Sequence, residues 1–567
     1  MTSPDYITLL LYVVGLFVIS TLSAKRTSSQ SEMFSAGRSA PWWASGLSGF
    51  MTIFSAGTFV VWGGIAYELG IVAVAINTCY GIAALLVGYF VAGRWNRLGV
   101  STPAEFVQLR FGKTGLHFFT WTMLIKRILG VSVSLYALAI LLIALVPLSL
   151  VQAIIIFGII VVIYTMQGGL WAVLMTDVLQ FIVLTVVVLM VAVLMISGMG
   201  TFEEYRAAVP DTFFNPVVGK YGWFFLFGWV TIHFFMIGGE WAFVQRFIAV
   251  RSPSDAKKSS YLFGILYLVT PLFWLLPPLL YRGQVDNINK EQAYILAAQS
   301  VLPPGILGLL FAAMFSATAS MVSSQLNVFA GVFTNDFYRA LINPKASEAT
   351  LVKTGRFFTA LLGAMLITMA IFVPKLGGAE KLIISINSLL VVPLFAPTLW
   401  GLFSRKIGLR DMIVVALTSF VIGLTLRFGI ASNPAIQDGH ALHGFANYLT
   451  ENSKNVEVLV GVILPVLMLI GFEKYRQGVD KGAILIEETA QKFQEAESTS
   501  AATFPFDPFP LRMVMYSLLV LGIWMICLSL RQSDGRFIIL GFAVGLLSIA
   551  GGIQWLIRKL SKNSHVR

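Results

Sequence analysis

Gly46-Leu-Ser-Gly-Phe-Met-Thr-Ile-Phe-Ser-Ala-Gly-Thr-Phe-Val-Val-Trp-Gly-Gly64 is apolar enough to sit in a bilayer, yet it carries five glycines and several hydroxyls where a plain membrane helix would carry leucine and valine. Two readings fit such a stretch. It is a broken helix, whose freed carbonyls and amides can coordinate a cation or hold a solute, or it is a small-residue face packed closely on a neighbour. Both readings require a helical span.

The rest of the chain supplies the membrane context. Of its 567 residues 57% are hydrophobic and only 12% charged, with a mean hydropathy of +0.82, which leaves too little polar surface for a water-soluble protein. Stretches of about twenty apolar residues recur along nearly the whole length, each enough to cross about 30 Å of hydrocarbon as a helix. About fifteen spans are expected, from 6–23 and 45–69 through 117–145, 174–198, 222–249 and 304–334 to 512–530 and 536–557. The first apolar run follows no basic n-region and reads as a retained span. Cys79 and Cys527 stand inside apolar spans, with no CxxC or CxH companion to suggest a metal.

The net charge of +12 is spread over short connections rather than a basic tract, so topology explains it better than nucleic acid does. Threading the spans with the N-terminus outside puts about 26 Lys or Arg in cytoplasmic segments and about 9 outside, as the positive-inside rule demands. The C-terminus is then cytoplasmic and the chain is expected in a plasma membrane, the inner one in a Gram-negative cell. The longest polar stretch, Glu473 to Thr503, has an amphipathic pattern around Ile484 to Phe493 and reads as a surface-lying helix. Ser432 to Asn455 has mixed polarity and reads as an outer loop or, second, a lid.

Two further stretches place polar groups at membrane depth, where they are functional candidates by default. In Ala317-Thr-Ala-Ser320-Met-Val-Ser323-Ser324-Gln-Leu-Asn327, positions 317, 320, 324 and 327 follow helical spacing and line one face with oxygen atoms, the ligands a hard cation prefers. Serines in such helices also bond back to their own carbonyls. In Gly168-Gly-Leu-Trp-Ala-Val-Leu-Met-Thr176-Asp177-Val-Leu-Gln180, Asp177 is placed to cap a helix or to bind a cation.

Taken together these motifs resemble the sodium/solute symporter family. The family's GGL-A-V-x-x-T-D-x-x-Q pattern stands as Gly168 to Gln180, and its serine-rich ninth-span motif as Ala317 to Tyr338, closing with Phe333-Thr-Asn-Asp336-Phe-Tyr338. Gln245-Arg246 with Ala249 and Ser252, and Ser101-Thr-Pro-Ala-Glu105-Phe with Arg110-Phe-Gly112, look like the family's connections. The similarity covers roughly residues 1 to 430.

The resemblance implies a five-plus-five inverted-repeat core at 45–403, its halves at about 45–198 and 222–403. Residues 1–44 add one N-terminal helix, and 404–567 add about four C-terminal helices with a cytoplasmic connection at 474–511. It implies sodium-coupled symport of a small polar solute by alternating access, with no cofactor beyond the coupling ion. The family's general sodium site falls on the carbonyls of Met51, Phe54 and Ala317 and the hydroxyl of Ser320; Met321 stands where many members have a second hydroxyl. A second sodium site found in some members falls on Asp177, Ser320, Ser323 and Ser324. The substrate candidates are Ser55, Thr58, Asn77, Arg127, His233 and Trp241.

Lys126 and Arg127 lie too deep in their helix for easy snorkelling and so need an anion. That anion is Asp177 or Glu240 in a structural pair, or the carboxylate of a substrate, as in members that bind sialic acid through an arginine on this helix. Thr58 replaces the polar glutamine of sugar-binding members, which does not favour a hexose. Sugars, sugar acids, carboxylates and amino acids all stay open as solutes. The rival readings are proton coupling through Asp177, Glu240 or His233 and a transporter-like membrane sensor. Nothing resembling a nucleotide loop or a catalytic constellation supports an enzyme or a pump.

Overall fold

The computed structural model describes residues 1–24, 38–164, 170–431, 436, 442–499, 507–530 and 536–564. Apolar segments of the expected length become helices because lipid offers the backbone no hydrogen-bond partner. The spans are α1 (Ser3–Ala24), α2 (42–69), α3 (Val72–Arg97), α4 (Pro103–Ile143), α5 (Leu150–Tyr164), α6 (Leu170–Ser197) and α7 (223–249). They continue as α8 (Pro253–Arg282), α9 (Ile306–Val332), α10 (Glu348–Phe372), α11 (Gly378–Gly401), α12 (Leu409–Ala431), α13 (Ser453–Tyr475), α14 (Phe509–Ser529) and α15 (Arg536–Ser564). Ten helices among the described residues are long and apolar enough to cross a membrane singly, and the two halves of α7 make an eleventh span. The shorter α5 and α9, the broken α2 and the N-terminal α1 complete the fifteen expected.

The packing divides the ten core spans by their position in each repeat. The first two of each half, α2, α3, α7 and α8, pack on one another, and the third and fourth, α4, α5, α9 and α10, form a second group. This is the five-plus-five arrangement. Glycine permits the closest approach in the first group: a Cβ on Gly81 would lie 2.8 Å from the Gly264 carbonyl oxygen, and one on Gly264 3.0 Å from that of Gly81. Outside the core, α1 is fastened to the start of α9 by Asp5, whose carboxylate accepts the Gly305 and Gly308 N–H groups at 2.7 and 2.9 Å. Carboxylates are favoured at a helix N-terminus.

Three interruptions shape the centre. α2 stops at Met51 and resumes helical form only around Ala56, passing through a π-helical turn at Thr58–Trp62. α7 breaks at Glu240, which takes extended geometry, and its halves diverge by 55°. α4 bends at Gly112 (φ +74°), so the straight span begins beyond it.

Two expectations change. Lys481–Thr499 is a helix, but it lies on protein: Ala483 and Ile486 are buried, and the Phe493 ring fills the space beside Gly99. Asp480 anchors it by accepting from Arg110 at 2.5 Å, a guanidinium that also donates to the carbonyls of Gly401, Ser404 and Ile407. The buried arginine needed an anion, and the connection supplied one. In the outer stretch, His443–Glu451 is helical rather than loop, while residues 432–435 and 437–441 lie outside the described set.

Candidate functional site

The break in α2 leaves backbone groups that must find partners. Phe54 N–H bonds to the Met51 carbonyl at 3.0 Å, Ser55 N–H to Thr58 Oγ1 at 3.3 Å and Gly57 N–H to Ser55 Oγ at 3.1 Å. Ala56 N–H donates across the core to Thr318 Oγ1 on α9 at 2.9 Å. Thr318 in turn donates to the Met314 carbonyl. This hydroxyl joins the broken span to the serine-rich helix, a role the oxygen pattern of 317, 320, 324 and 327 does not reveal because Thr318 lies off that face. Met51, Phe54, Ala317 and Ser320, the residues expected at the first sodium site, are all buried on these two elements. Met321 lines the neighbouring cavity. The side chains of Ser323, Ser324 and Asn327, and residues Gly168 and Gly169, lie outside the described set.

Asp177 is not a cap. α6 is already helical from Leu170, which places Asp177 two turns inside. Its Oδ2 accepts from Ser48 Oγ at 2.6 Å and faces the Arg246 guanidinium at 3.6 Å. Arg246 also donates to Ser48 Oγ and to the Ala242 carbonyl, and Ser45 Oγ to the Arg246 carbonyl. A buried carboxylate and guanidinium from α6 and α7 thus close on a serine of α2. One helix turn along α6, Gln180 Nε2 donates to Ser316 Oγ at 2.8 Å.

A cavity of about 810 Å³, including solvent at its mouth, opens beside the break. Ser55, Thr58 and Arg127 line it. So do Lys126 and Glu240, and among the described residues these three are its only charged lining groups. The sequence offered Asp177 or Glu240 as partner of the Lys126-Arg127 pair; Glu240 serves both, accepting from Lys126 Nζ at 3.1 Å and ion-paired with Arg127. One carboxylate thus faces two basic side chains, a formal count of one positive charge in excess. Arg127 Nε is buried with no hydrogen-bond partner.

Asn77, His233 and Trp241 do not line this cavity. Asn77 donates to the Ala73 carbonyl, and His233 Nδ1 pairs with the Trp229 carbonyl at 2.8 Å while its ring lies 3.7 Å from that of Tyr80. Trp62, Tyr80, Ser134 and Asn387 line it instead. Ser134 was within reach of sequence reasoning: Arg127, Gly130, Val131 and Ser134 follow i, i+3, i+4, i+7 on one face of α4.

At one end of the core Lys290 bridges Glu68 of α2 (2.5 Å) and Glu380 of α11 (2.8 Å), and Tyr221 donates to Glu380 at 2.6 Å. Burial works against the Lys290 ammonium, but the two carboxylates outweigh it and hold its pKa above the ordinary value. Burial followed by the neighbouring Glu380 charge pushes the Tyr221 hydroxyl up. These bonds tie α2, α11 and the loop before α9 to one another.

With this geometry in place, comparison with known proteins is specific. A sodium/glucose cotransporter of Vibrio parahaemolyticus is 29% identical over 463 residues, covering 74% of this chain and 83% of the relative. The sodium/sialic acid symporter NanT of Aliivibrio fischeri is 25% identical over 454 residues, covering 75% and 87%. A solved Na⁺-coupled sialic acid symporter in a substrate-bound, outward-open state superposes with a TM-score of 0.64 at 22% identity, over 82% of this chain and 98% of that one. The model of the sodium:solute symporter family matches residues 33–423. The chain therefore belongs to the sodium:solute symporter family, and is a multi-pass membrane transporter coupled to sodium rather than an enzyme.

Proposed function

We propose that the protein carries a small organic anion, most simply a carboxylate, into the cell together with sodium. One observation carries this reading: among the described residues the only charged groups on the cavity wall are Lys126, Arg127 and Glu240, two basic side chains against one carboxylate. A net charge at membrane depth is costly unless something neutralises it. The unpartnered Arg127 Nε adds a donor that a carboxylate would satisfy. Ser55, Thr58 and Ser134 offer hydroxyls to the solute's other polar groups.

In this reading sodium sits between the α2 break and α9, on the carbonyls of Met51, Phe54 and Ala317 and the hydroxyl of Ser320, and binding there holds the two packing groups together until the solute arrives. Asp177, Ser320, Ser323 and Ser324 form a second site. The stoichiometry matters more for an anion than for a neutral solute. One sodium makes the cycle electroneutral, leaving only the chemical gradient, about 1.4 kcal/mol for a tenfold sodium ratio. A second sodium adds that amount again and makes the cycle carry one net charge, worth a further ~2.3 kcal/mol per 100 mV. The N-terminus lies outside the plasma membrane and the C-terminus in the cytoplasm, and the solute moves by alternating access.

Proteoliposome uptake tests the coupling. A sodium gradient should drive carboxylate uptake, and a proton gradient in sodium-free buffer should not. Uptake driven by protons alone would overturn the reading and move the coupling role to Glu240 or Asp177.

A further inference from the structure

Behind the α2 break, on the side away from the solute cavity, lies a crevice of about 700 Å³, open space at its mouth included. Three elements form it. Phe50, Met51 and Phe54 come from α2 at its break, Phe181, Leu184, Thr185, Val188 and Leu189 from α6, and Val269, Thr270, Phe273 and Trp274 from α8. Phe181, Leu184 and Val188 repeat at helical spacing, so α6 offers one continuous apolar wall. Phe50, Phe54 and Trp274 form an aromatic end, with the Phe54 and Trp274 rings 4.7 Å apart.

The gap has a structural cause. α8 is interrupted at Thr270 and again at Leu275, around Pro271, at the level where α2 itself stops. Two interrupted helices do not fill the groove along α6. The lining hydroxyl on α8, Thr270 Oγ1, donates to the Leu266 carbonyl; Trp274 Nε1 at the aromatic end is buried without a hydrogen-bond partner, and the rest of the lining apart from Thr185 is apolar. Its rim is exposed and apolar: Val269 and Phe273 are 47% and 42% accessible. That rim runs on into the exposed apolar side chains of Ile265 and Leu272 on the same spanning helix.

We propose that this crevice is a binding site for an acyl chain of a membrane phospholipid. An apolar recess of this size opening on hydrocarbon is filled by the hydrocarbon beside it. Cavity lining left without partner atoms forfeits its dispersion contacts, and an acyl chain supplies them along the apolar wall of α6. The chain packs against the Met51 and Phe54 side chains and so supports the backbone at the break. If the carbonyls of these residues hold sodium, a consequence that rests on the function proposed above, the acyl chain pre-organises the ion site.

Trp274 is a built-in reporter. The purified full-length protein, one copy per nanodisc, would be prepared in phosphatidylcholine with either plain or mid-chain-brominated acyl chains, alongside Trp274→Phe. The emission lost on that substitution isolates Trp274 from the other twelve tryptophans. It should be strongly quenched by the brominated lipid, and the crevice-filling variants Leu184→Phe and Val188→Phe should remove most of the quenching. An unquenched Trp274 overturns the proposal, since a single copy leaves no second chain to shield it. Quenching that survives both filling variants overturns it too, because the bromines would then reach the indole from elsewhere. The readout needs neither sodium nor transport. A quenched Trp274 in a protein indifferent to sodium would therefore sink the sodium assignment and leave the lipid site standing. With both intact, delipidation should weaken sodium binding several-fold in wild type and much less in Val188→Phe.

Discussion

Two of the buried ionic clusters among the described residues are built in opposite ways. Asp177, Arg246 and Ser48 form a neutral set joining α6, α7 and α2, in which Ser48 donates to the carboxylate and accepts from the guanidinium. Lys126, Arg127 and Glu240 join α4 to the break in α7, carry one positive charge in excess and face a cavity. The first is closed on itself and needs no further anion. The second is the one that the proposed anionic solute would complete. Residue types alone do not separate them, since each holds an acid beside an arginine; the count of charges and the access to the cavity do.

The largest effect expected from disturbing this contrast is in Glu240→Gln. It strands two cations at membrane depth, and removing one partner of a buried pair costs about 3–5 kcal/mol. Thermal unfolding in detergent should show a pronounced loss, and Lys126→Met in the same chain should restore much of it. A Glu240→Gln protein as stable as wild type would mean the cations are solvated and the charge count is irrelevant.

Arg127→Gln should spare folding, because Glu240 keeps Lys126, but it removes the excess charge. Losing a desolvated charge-assisted contact is worth about 2–5 kcal/mol, so solute affinity should fall at least tenfold while sodium-dependent stabilisation in the absence of solute persists. Equal losses of both would assign Arg127 to the scaffold.

Asp177→Asn probes the closed cluster. If Asp177 also serves a second sodium, the Hill coefficient for sodium should drop towards one with some uptake remaining. An unchanged coefficient would confine Asp177 to its bond with Ser48 and Arg246. The smallest effect is expected for Thr318→Val, which leaves Ala56 N–H unpaired at the break. The cost of an orphaned buried donor is about 1–3 kcal/mol, and sodium affinity should weaken with it. Sodium affinity untouched by this change would separate the α2–α9 link from the ion site.

The spans were readable from hydropathy because each must cross the same thickness of hydrocarbon, and the break at 51–58 from its glycines and hydroxyls. The two buried cations on α4 announced themselves by depth alone. Their partner did not, because Asp177 and Glu240 are distant in sequence and only the packing of α7 against α4 chooses between them. Asp177 looked like a cap because the motif is read from its polar end, whereas the helix had begun by Leu170. Asn77 and His233 were polar residues on core helices, and the structure satisfies one side of each with a carbonyl four residues earlier. The helix at 481–499 was legible as amphipathic, but not that its apolar side would meet protein, which depended on the demand of Arg110 for an anion.

Solute-induced thermal stabilisation of the purified protein tests the central claim most directly. Carboxylates, their neutral amide counterparts and uncharged sugars would be compared in sodium and again with potassium replacing it, in wild type and Arg127→Gln. Stabilisation grows with the logarithm of ligand concentration over its dissociation constant, so the assay ranks affinities without a transport step. The account predicts that a carboxylate stabilises wild type only in sodium, that its amide does not, and that Arg127→Gln loses the response. A neutral sugar that stabilises both proteins equally well, with carboxylates inert, would contradict it.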